Sequence, residues 1–322
     1  MEVKKEVKEE GTHNEHEEVL KIRSVRGTVT AGFLLYLGNF RRILKHTWLP
    51  ALVCALVSTW YNMVSFTMLP QLITTNGKVQ PFGSTLVPMM EISGLSLLNA
   101  LVSLAFLAYG FSLLSHHREQ GTIPSPTGWL TRPDWHILFR TFLCAVVCIA
   151  VLTVCQGLAL APIAYGVLRQ SVTAIAIGVL TGLAFMVLLL PLAYPTMRYV
   201  TSRDTRLFVI LGPGYRQGLR RWGYLFGVLL VTMIITLLAL VITTLPSLVL
   251  ALANVKAQTG TLMGDPLGLP DYMASMSFFV FLLAGFIQCY VVLLLHFPVY
   301  YMTGSIEKQE IEKNEKTSST LY

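Results

Sequence analysis

The sequence predicts an all-α, polytopic membrane protein with six transmembrane helices arranged as three hairpins. Two observations predict this fold: apolar residues come in long blocks, and basic residues collect on one side of those blocks. Hydrophobic residues make up 54% of the 322 positions, charged residues make up 13%, and the mean hydropathy is +0.61. Because the apolar residues form blocks rather than one amphipathic face, a pair of soluble domains is excluded.

Six apolar blocks are each long enough to cross a bilayer. A helix rises about 1.5 Å per residue, so a hydrocarbon core of about 30 Å needs about 20 residues. The blocks lie at residues 49–70, 92–114, 141–168, 171–197, 223–253 and 274–303. They define a transmembrane domain, 33–303, between an N-terminal tail, 1–32, and a C-terminal tail, 304–322. The first 20 or so residues and the last 18 carry charges of both signs and few aromatic residues, so both segments are expected to be mobile or loosely helical.

The basic residues predict the orientation of the chain. All but three of the 24 lysines and arginines lie on the side of the membrane that holds both ends of the chain. The other side holds Lys78, Arg169 and Lys256. Because loops rich in lysine and arginine stay in the cytoplasm, both termini are expected to be cytoplasmic.

A short amphipathic stretch precedes each odd-numbered span. Aromatic and basic residues share FLLYLGNFRRILKHTW, PDWHILFRTF and PGYRQGLRRWGY, a composition typical of helices in the headgroup layer. Each hairpin is therefore expected to follow a cytoplasmic amphipathic interfacial helix. The residues expected at the lipid interface are Arg41, Arg42, Arg140, Arg216, Arg220, Arg221, Trp48, Trp135 and Trp222. The recurrence is consistent with internal repetition, and equally with the anchors that any span leaving the cytoplasm requires.

No arrangement of catalytic residues is evident in the sequence. The carboxylates lie in the tails, the connections or the span boundaries, and no Asp, Glu, Lys or Arg falls at mid-membrane depth. Ion-coupled transporters and metal-dependent enzymes use such residues, so both classes are disfavoured. Phosphate-binding loops and hydrolase motifs are also missing. The net charge of +7 fits topology signals facing anionic lipid, so nucleic acid is not expected as a partner.

Four polar side chains within the spans are candidates for lining a cavity: Asn99, Gln156, Gln288 and His296. Each could instead form a structural hydrogen bond between helices. Three cysteines, at positions 144, 148 and 155, share one face of the third span. Packing explains this stripe better than a soft-metal site does, so neither a metal nor a cofactor is expected.

Three motifs resemble those of a loose group of uncharacterised bacterial six-helix inner-membrane proteins. They are FRRILKHTW before span 1, YPTMRYV at the end of span 4 and YRQGLRRWGY before span 5. The group includes the membrane domain that accompanies some glycerophosphodiester phosphodiesterases. The resemblance covers residues 33–303 and implies this fold in a bacterial inner membrane. It implies no phosphodiesterase activity, because the chain has no phosphodiesterase domain.

The leading functional hypothesis is non-enzymatic. The protein is expected to bind lipid, an amphipathic compound or a partner membrane protein, which could be a second copy of itself. A permease for a small apolar or amphipathic solute is the alternative, and an enzyme acting on lipid headgroups is a third. A cavity joining the four polar candidates would favour transport, and a filled core would favour scaffolding. A cluster of Asp134, His136 and His116 would favour the enzyme.

Overall fold

The computed structural model describes residues 19–74, 82–124, 134–202, 205–262, 270 and 272–319. Every regular element in these residues is a helix. The helices are α1 (Val25–Gly38), α2 (Phe40–Thr74), α3 (Phe82–Gln120), α4 (Trp135–Leu168), α5 (Val172–Leu189), a 3₁₀ turn (Leu190–Leu192), α6 (Ala193–Thr201), α7 (Phe208–Leu211), α8 (Pro213–Arg220), α9 (Trp222–Leu262) and α10 (Tyr272–Ser319).

Six stretches are long and apolar enough to cross a membrane, which agrees with the six blocks predicted from the sequence. They are Phe40–Phe66, Met90–Gln120, Trp135–Leu168, Val172–Thr201, Trp222–Gly260 and Tyr272–Ser319. Large apolar side chains cover their outer surface, and Leu168 and Val172 are 83% and 78% exposed. An apolar exterior is stable in lipid, so the fold is that of an all-helical, multi-pass membrane protein.

Spans that are consecutive in the sequence pack side by side. α2 packs on α3, α4 on α5, and α9 on α10. α2, α3, α9 and α10 form a central bundle, and α1 packs against α9 and α10. We call one end of the bundle the basic end, because Arg118 of α3, Arg198 of α6 and Arg221 before α9 all reach the last turns of α10 there.

The core is tightly packed near the basic end. Tyr194, Phe297 and Tyr300 are at most 1% exposed. A Cβ atom added to Gly32 of α1 would lie 2.5 Å from the backbone N and Cα atoms of Pro298 in α10. Only glycine therefore allows this close approach of α1 to α10.

The α4–α5 pair lies at the periphery of the bundle. The buried residues of α4 that contribute to the shared core, Ile137 and Cys144, belong to its first turns. α5 buries one residue, Gly178, which packs against Ile163 and the Ala159 carbonyl of α4. The part of the pair farthest from the basic end is thus held mainly by contacts between its own two helices.

Helix ends follow the local sequence. The Ser24, Asp134 and Ser171 side chains accept hydrogen bonds from backbone N–H groups in the first turns of α1, α4 and α5, as N-cap residues do. A tight turn at Arg169, Gln170 and Ser171 joins α4 to α5. Gln170 in this turn has a φ of 53°, in the left-handed region.

The three segments predicted as interfacial helices take three different forms. Residues 33–48 are divided between α1 and α2, because the helix breaks at Asn39, whose side chain donates to the Leu35 carbonyl at 3.1 Å. Residues 135–142 form the first turns of α4 and are continuous with its span. Residues 213–220 form the separate short helix α8.

The tails predicted at residues 1–32 and 304–322 are partly incorporated in the helical domain. α1 begins at Val25, within the first of them, while residues 1–18 lie outside the described residues. α10 continues without a break to Ser319, and residues 304–307 are buried. Gly304 packs directly against the Val19 carbonyl. The expectation that the last 18 residues are mobile or loosely helical is therefore wrong for residues 305–307.

Candidate ligand-binding cavity

A cavity of about 360 Å³ lies between α2, α3, α9 and α10, within the membrane-spanning part of the bundle. Its polar lining groups are Ser58 and Asn62 of α2, Ser103 of α3, Thr244 and Ser247 of α9, and Gln288 of α10. Aromatic and aliphatic side chains, including Phe66, Phe106, Leu248 and Phe281, form the remaining wall. A volume of this size lies at the lower end of the range for small-molecule sites, roughly 300–1,000 Å³.

Helical spacing places the α2 residues on one wall. Cys54, Ser58, Asn62 and Phe66 recur every four residues, so they share one face of the helix. Gly285 of α10 faces Ala55 of α2: a Cβ atom added to Gly285 would lie 3.5 Å from the Ala55 Cα atom, in ordinary van der Waals contact. The α2 residues were not among the sequence candidates, although their spacing of four is visible in the sequence.

Several polar lining groups bind one another. The Ser58 hydroxyl donates to Asn99 Oδ1 at 2.7 Å, and Gln288 Nε2 donates to Thr244 Oγ1 at 3.0 Å. Cys54 Sγ lies 3.5 Å from Ser103 Oγ. Asn62 has no hydrogen-bond partner for its carboxamide among the described residues. The cavity wall therefore contains polar groups that are hydrogen-bonded to one another, together with the Asn62 amide, which is available to a ligand.

The structure brings together two of the four residues predicted to line a cavity. Gln288 lines it, and Asn99 lies directly behind Ser58. Gln156 lines a separate, mostly apolar groove of about 490 Å³ between the α4–α5 pair and α9. His296 packs edge-on against Phe111, with ring centroids 5.0 Å apart, and its Nδ1 atom lies 3.0 Å from the Val292 carbonyl. A single cavity joining all four residues is not present in the described part of the chain.

An aromatic layer separates the cavity from the basic end. Phe297 is fully buried, and its ring packs against Tyr36 with centroids 4.9 Å apart. The Tyr36 hydroxyl donates to the Tyr290 carbonyl at 2.9 Å. Burial, together with nearby Tyr290, raises the pKa of the Tyr36 phenol, so the hydroxyl keeps its proton and remains a donor. In this conformation the layer closes the cavity on that side.

Below the aromatic layer, three helices meet in a buried ion cluster. Arg118 Nη2 of α3 lies 2.5 Å from Glu307 Oε2 of α10. Arg198 Nε of α6 lies 3.0 Å from Glu307 Oε1, in an ion pair whose angle does not suit a hydrogen bond. Arg198 also donates to the Tyr194 hydroxyl at 3.2 Å. Glu307 is only 7% exposed, so its charge is compensated almost entirely by the two guanidinium groups.

The residues predicted at the lipid interface divide into two groups. Exposed members are Arg41, Arg42, Arg216, Arg220, Trp48 and Trp135. Arg140, Arg221 and Trp222 instead make internal contacts. Arg140 is buried over the Tyr199 ring and donates to the Thr205 carbonyl at 2.6 Å. Arg221 binds Gln309 and lies 3.6 Å from Glu310, while Trp222 Nε1 donates to the Val187 carbonyl at 3.3 Å.

The predicted cysteine stripe packs along α4. Cys144 is buried, Cys148 and Cys155 are half-buried, and all three are free thiols. No group of three or more His, Cys, Asp or Glu side chains in the described ranges is placed to hold a metal ion.

Asp134 accepts a hydrogen bond from the His136 backbone N–H and so caps α4.

The fold defines the class of this protein, an all-helical multi-pass membrane protein. Comparison with known proteins adds no family to this class: no protein-family model, no curated protein and no solved structure matches the chain.

Proposed function

We propose that this protein binds a small amphipathic molecule, a lipid or a lipid-like compound, in the cavity between α2, α3, α9 and α10. One observation carries the proposal. A cavity of about 360 Å³ at membrane depth joins a wall of neutral hydrogen-bonding groups to an aromatic wall. A mainly apolar pocket with a few polar groups is the usual form of a small-molecule site.

Binding is favoured over transport by the packing on both sides of the aromatic layer. A permease would have to open the layer that contains Tyr36 and Phe297, and then the ion cluster around Glu307. Scaffolding alone would not require a cavity. The exposed apolar surface of the α4–α5 pair nevertheless leaves room for lipid, a partner membrane protein or a second copy of the chain.

We also propose the location and the finer plan of the fold. The protein would lie in a bacterial inner membrane with both termini, and therefore the basic end, in the cytoplasm. Each of the three packed hairpins would follow a segment that lies in the lipid headgroup layer, before α2, α4 and α9 respectively. The exposed Arg216 and Arg220 of α8, which lie opposite the buried Gly214 and Gly218, support an interfacial position for that helix. Relation to the bacterial six-helix group remains part of this proposal.

Photolabelling tests the proposed cavity directly. The protein in lipid nanodiscs is irradiated with dodecanol that carries a diazirine in its chain, and the labelled peptides are identified by mass spectrometry. We expect saturable labelling of α2 and α10 residues that line the cavity. Ser247→Phe places a phenyl ring in the cavity and should abolish that labelling. Its matched control is Val249→Phe, because Val249 is 63% exposed on the outer surface of α9.

Diffuse labelling of outward-facing residues, with no saturable component, would contradict the proposal. Equal saturable labelling of the Ser247→Phe and Val249→Phe variants would also contradict it, because the bound site would then lie elsewhere.

A further inference from the structure

We infer that the ligand of this cavity is a neutral, single-chain amphiphile whose hydroxyl or amide head is bound by the carboxamide of Asn62. This inference rests on the proposed function and specifies the chemical class of the ligand.

The open hydrogen-bonding capacity of the cavity comes from two carboxamides. Asn62 has both its amide oxygen and its two N–H donors without a partner among the described residues. Gln288 uses one N–H on Thr244, which leaves its Oε1 atom and its second N–H available. An unpaired amide in an apolar environment is unfavourable. Asn62 is the less satisfied of the two, so a ligand head that supplies it with a donor and an acceptor gains free energy there.

Helix direction and register set the distance between the two carboxamides. α2 and α10 are antiparallel, since Ala55 faces Gly285 and the Ala51 carbonyl faces the Cys289 thiol. Side chains of a helix lean toward its N-terminus. Asn62 therefore leans toward the level of Ser58, and Gln288 leans toward the level of Gly285. The same register leaves Asn62 and Gln288 about ten residues, or roughly 15 Å, apart along the helix axes, so a small head bound to the Asn62 amide does not also reach Gln288.

The chemistry of the lining selects for a neutral head. Its polar groups are hydroxyls, thiols and carboxamides, and its lining includes no carboxylate, ammonium or guanidinium group. A permanent charge on the ligand would lose its hydration without gaining an opposite charge from these groups, which is strongly unfavourable. An alcohol or an uncharged amide avoids that loss and can form hydrogen bonds with Asn62.

The shape of the cavity favours one chain. Its lining on α10 runs from Phe281 to Val292, a rise of about 16 Å at 1.5 Å per residue. A volume of about 360 Å³ over that length gives a mean cross-section of about 22 Å². Carbon atoms pack about 3.5–4 Å apart, so this section admits one hydrocarbon chain rather than two side by side.

Competition among ligands with the same chain length tests the inference. The diazirine-dodecanol label is competed with unlabelled dodecanol, dodecanamide, dodecane, dodecyltrimethylammonium and dodecanesulfonate, each at a matched mole fraction in the nanodisc. We expect dodecanol and dodecanamide to compete best. Dodecyltrimethylammonium and dodecanesulfonate should each compete at least about tenfold more weakly, because their charges are not compensated in the cavity.

Two substitutions separate hydrogen bonding from folding. Asn62→Leu keeps the approximate volume of the side chain and removes the amide. It should weaken competition by dodecanol about tenfold and leave competition by dodecane unchanged. Gln156→Leu is the matched control, since it removes a carboxamide from a span but lines the other groove. It should leave both competitors unchanged.

The outcomes distinguish this inference from the proposed function. Saturable labelling with equal competition by neutral and charged amphiphiles would overturn the inference and leave the cavity as a binding site. The same holds if Asn62→Leu changes dodecanol and dodecane competition equally. An absence of saturable labelling by any probe would overturn the proposed function itself.

Discussion

Replacing Glu307 by glutamine should destabilise the protein more than any other single neutralisation on α10. The carboxylate lies 2.5 Å from Arg118 and 3.0 Å from Arg198, so the substitution leaves two guanidinium groups close together without their counter-ion. Breaking a fully buried ion pair typically costs about 3–5 kcal/mol. Here the Arg118 and Arg198 side chains keep 19% and 32% of their exposure, so water recovers part of that loss. We expect a decrease of about 2 kcal/mol in the free energy of unfolding.

Thermal unfolding in detergent, followed by tryptophan fluorescence, measures this effect. For a chain of 322 residues, about 2 kcal/mol corresponds to a decrease in Tm of about 3 °C. Glu315→Gln is the matched control. Glu315 is exposed on the same helix and forms no ion pair among the described residues, so its substitution should change stability by less than about 0.5 kcal/mol.

A double-mutant cycle with Arg118→Gln identifies the source of the effect. The two substitutions should be less destabilising together than the sum of their separate effects, because they remove the same contact. Equal Tm values for Glu307→Gln and Glu315→Gln, or strictly additive effects in the cycle, would refute the reasoning.

Three further predictions concern packing, topology and access. Gly32→Ala should lower the unfolding free energy by more than about 1 kcal/mol, because its methyl group would lie 2.5 Å from the α10 backbone. Its control is Gly94→Ala, because a methyl group at Gly94 would meet no other atom; this substitution should be neutral or stabilise the protein by up to about 1 kcal/mol in the same thermal assay. A lower Tm for Gly94→Ala than for Gly32→Ala would be inconsistent with the packing. A reporter that is active only outside the cytoplasm should work when fused after Gly83 and fail after Ser125, where activity would rule out the proposed topology. A cysteine introduced by Phe297→Cys should resist membrane-impermeant maleimide applied from the basic end, since Phe297 is fully buried; labelling that increases with added dodecanol would favour a permease.

The sequence predicts the spans well because the bilayer imposes a length and an apolar composition that are local properties. The predicted block 223–253 and the helix Trp222–Leu262 begin within one residue of each other. Glu307 shows the limit of such reasoning. It lies in a charged segment that the sequence predicts to be a tail. It is nevertheless buried, because Arg118 and Arg198, which are distant in the sequence, neutralise its negative charge.

The candidate site was only partly predictable for a related reason. Gln156, Gln288 and His296 are similar in the sequence, since each is a polar residue in an apolar helix. Which of them faces a cavity depends on the rotation of that helix against its neighbours, and a periodic pattern that is apolar on every side does not specify this rotation. The α2 wall that contains Ser58 and Asn62 carries a usable signal in its spacing of four, although packing produces the same spacing.

The order in which the chain is synthesised has a consequence for the cavity. Its walls come from the first and last pairs of spans, and the last helix, α10, contacts α1, α2, α3, α6 and α9. During synthesis α2 and α3 enter the membrane long before α10 does, since chains emerge N-terminus first.

Until α10 arrives, Asn62 lacks the α10 wall of the cavity, whereas Ser58 can already bind Asn99 of α3. A chain interrupted before α10 can still insert five spans, but it lacks both Gln288 and the Glu307 that neutralises Arg118 and Arg198. The cavity wall and the ion cluster are therefore both completed by the final helix.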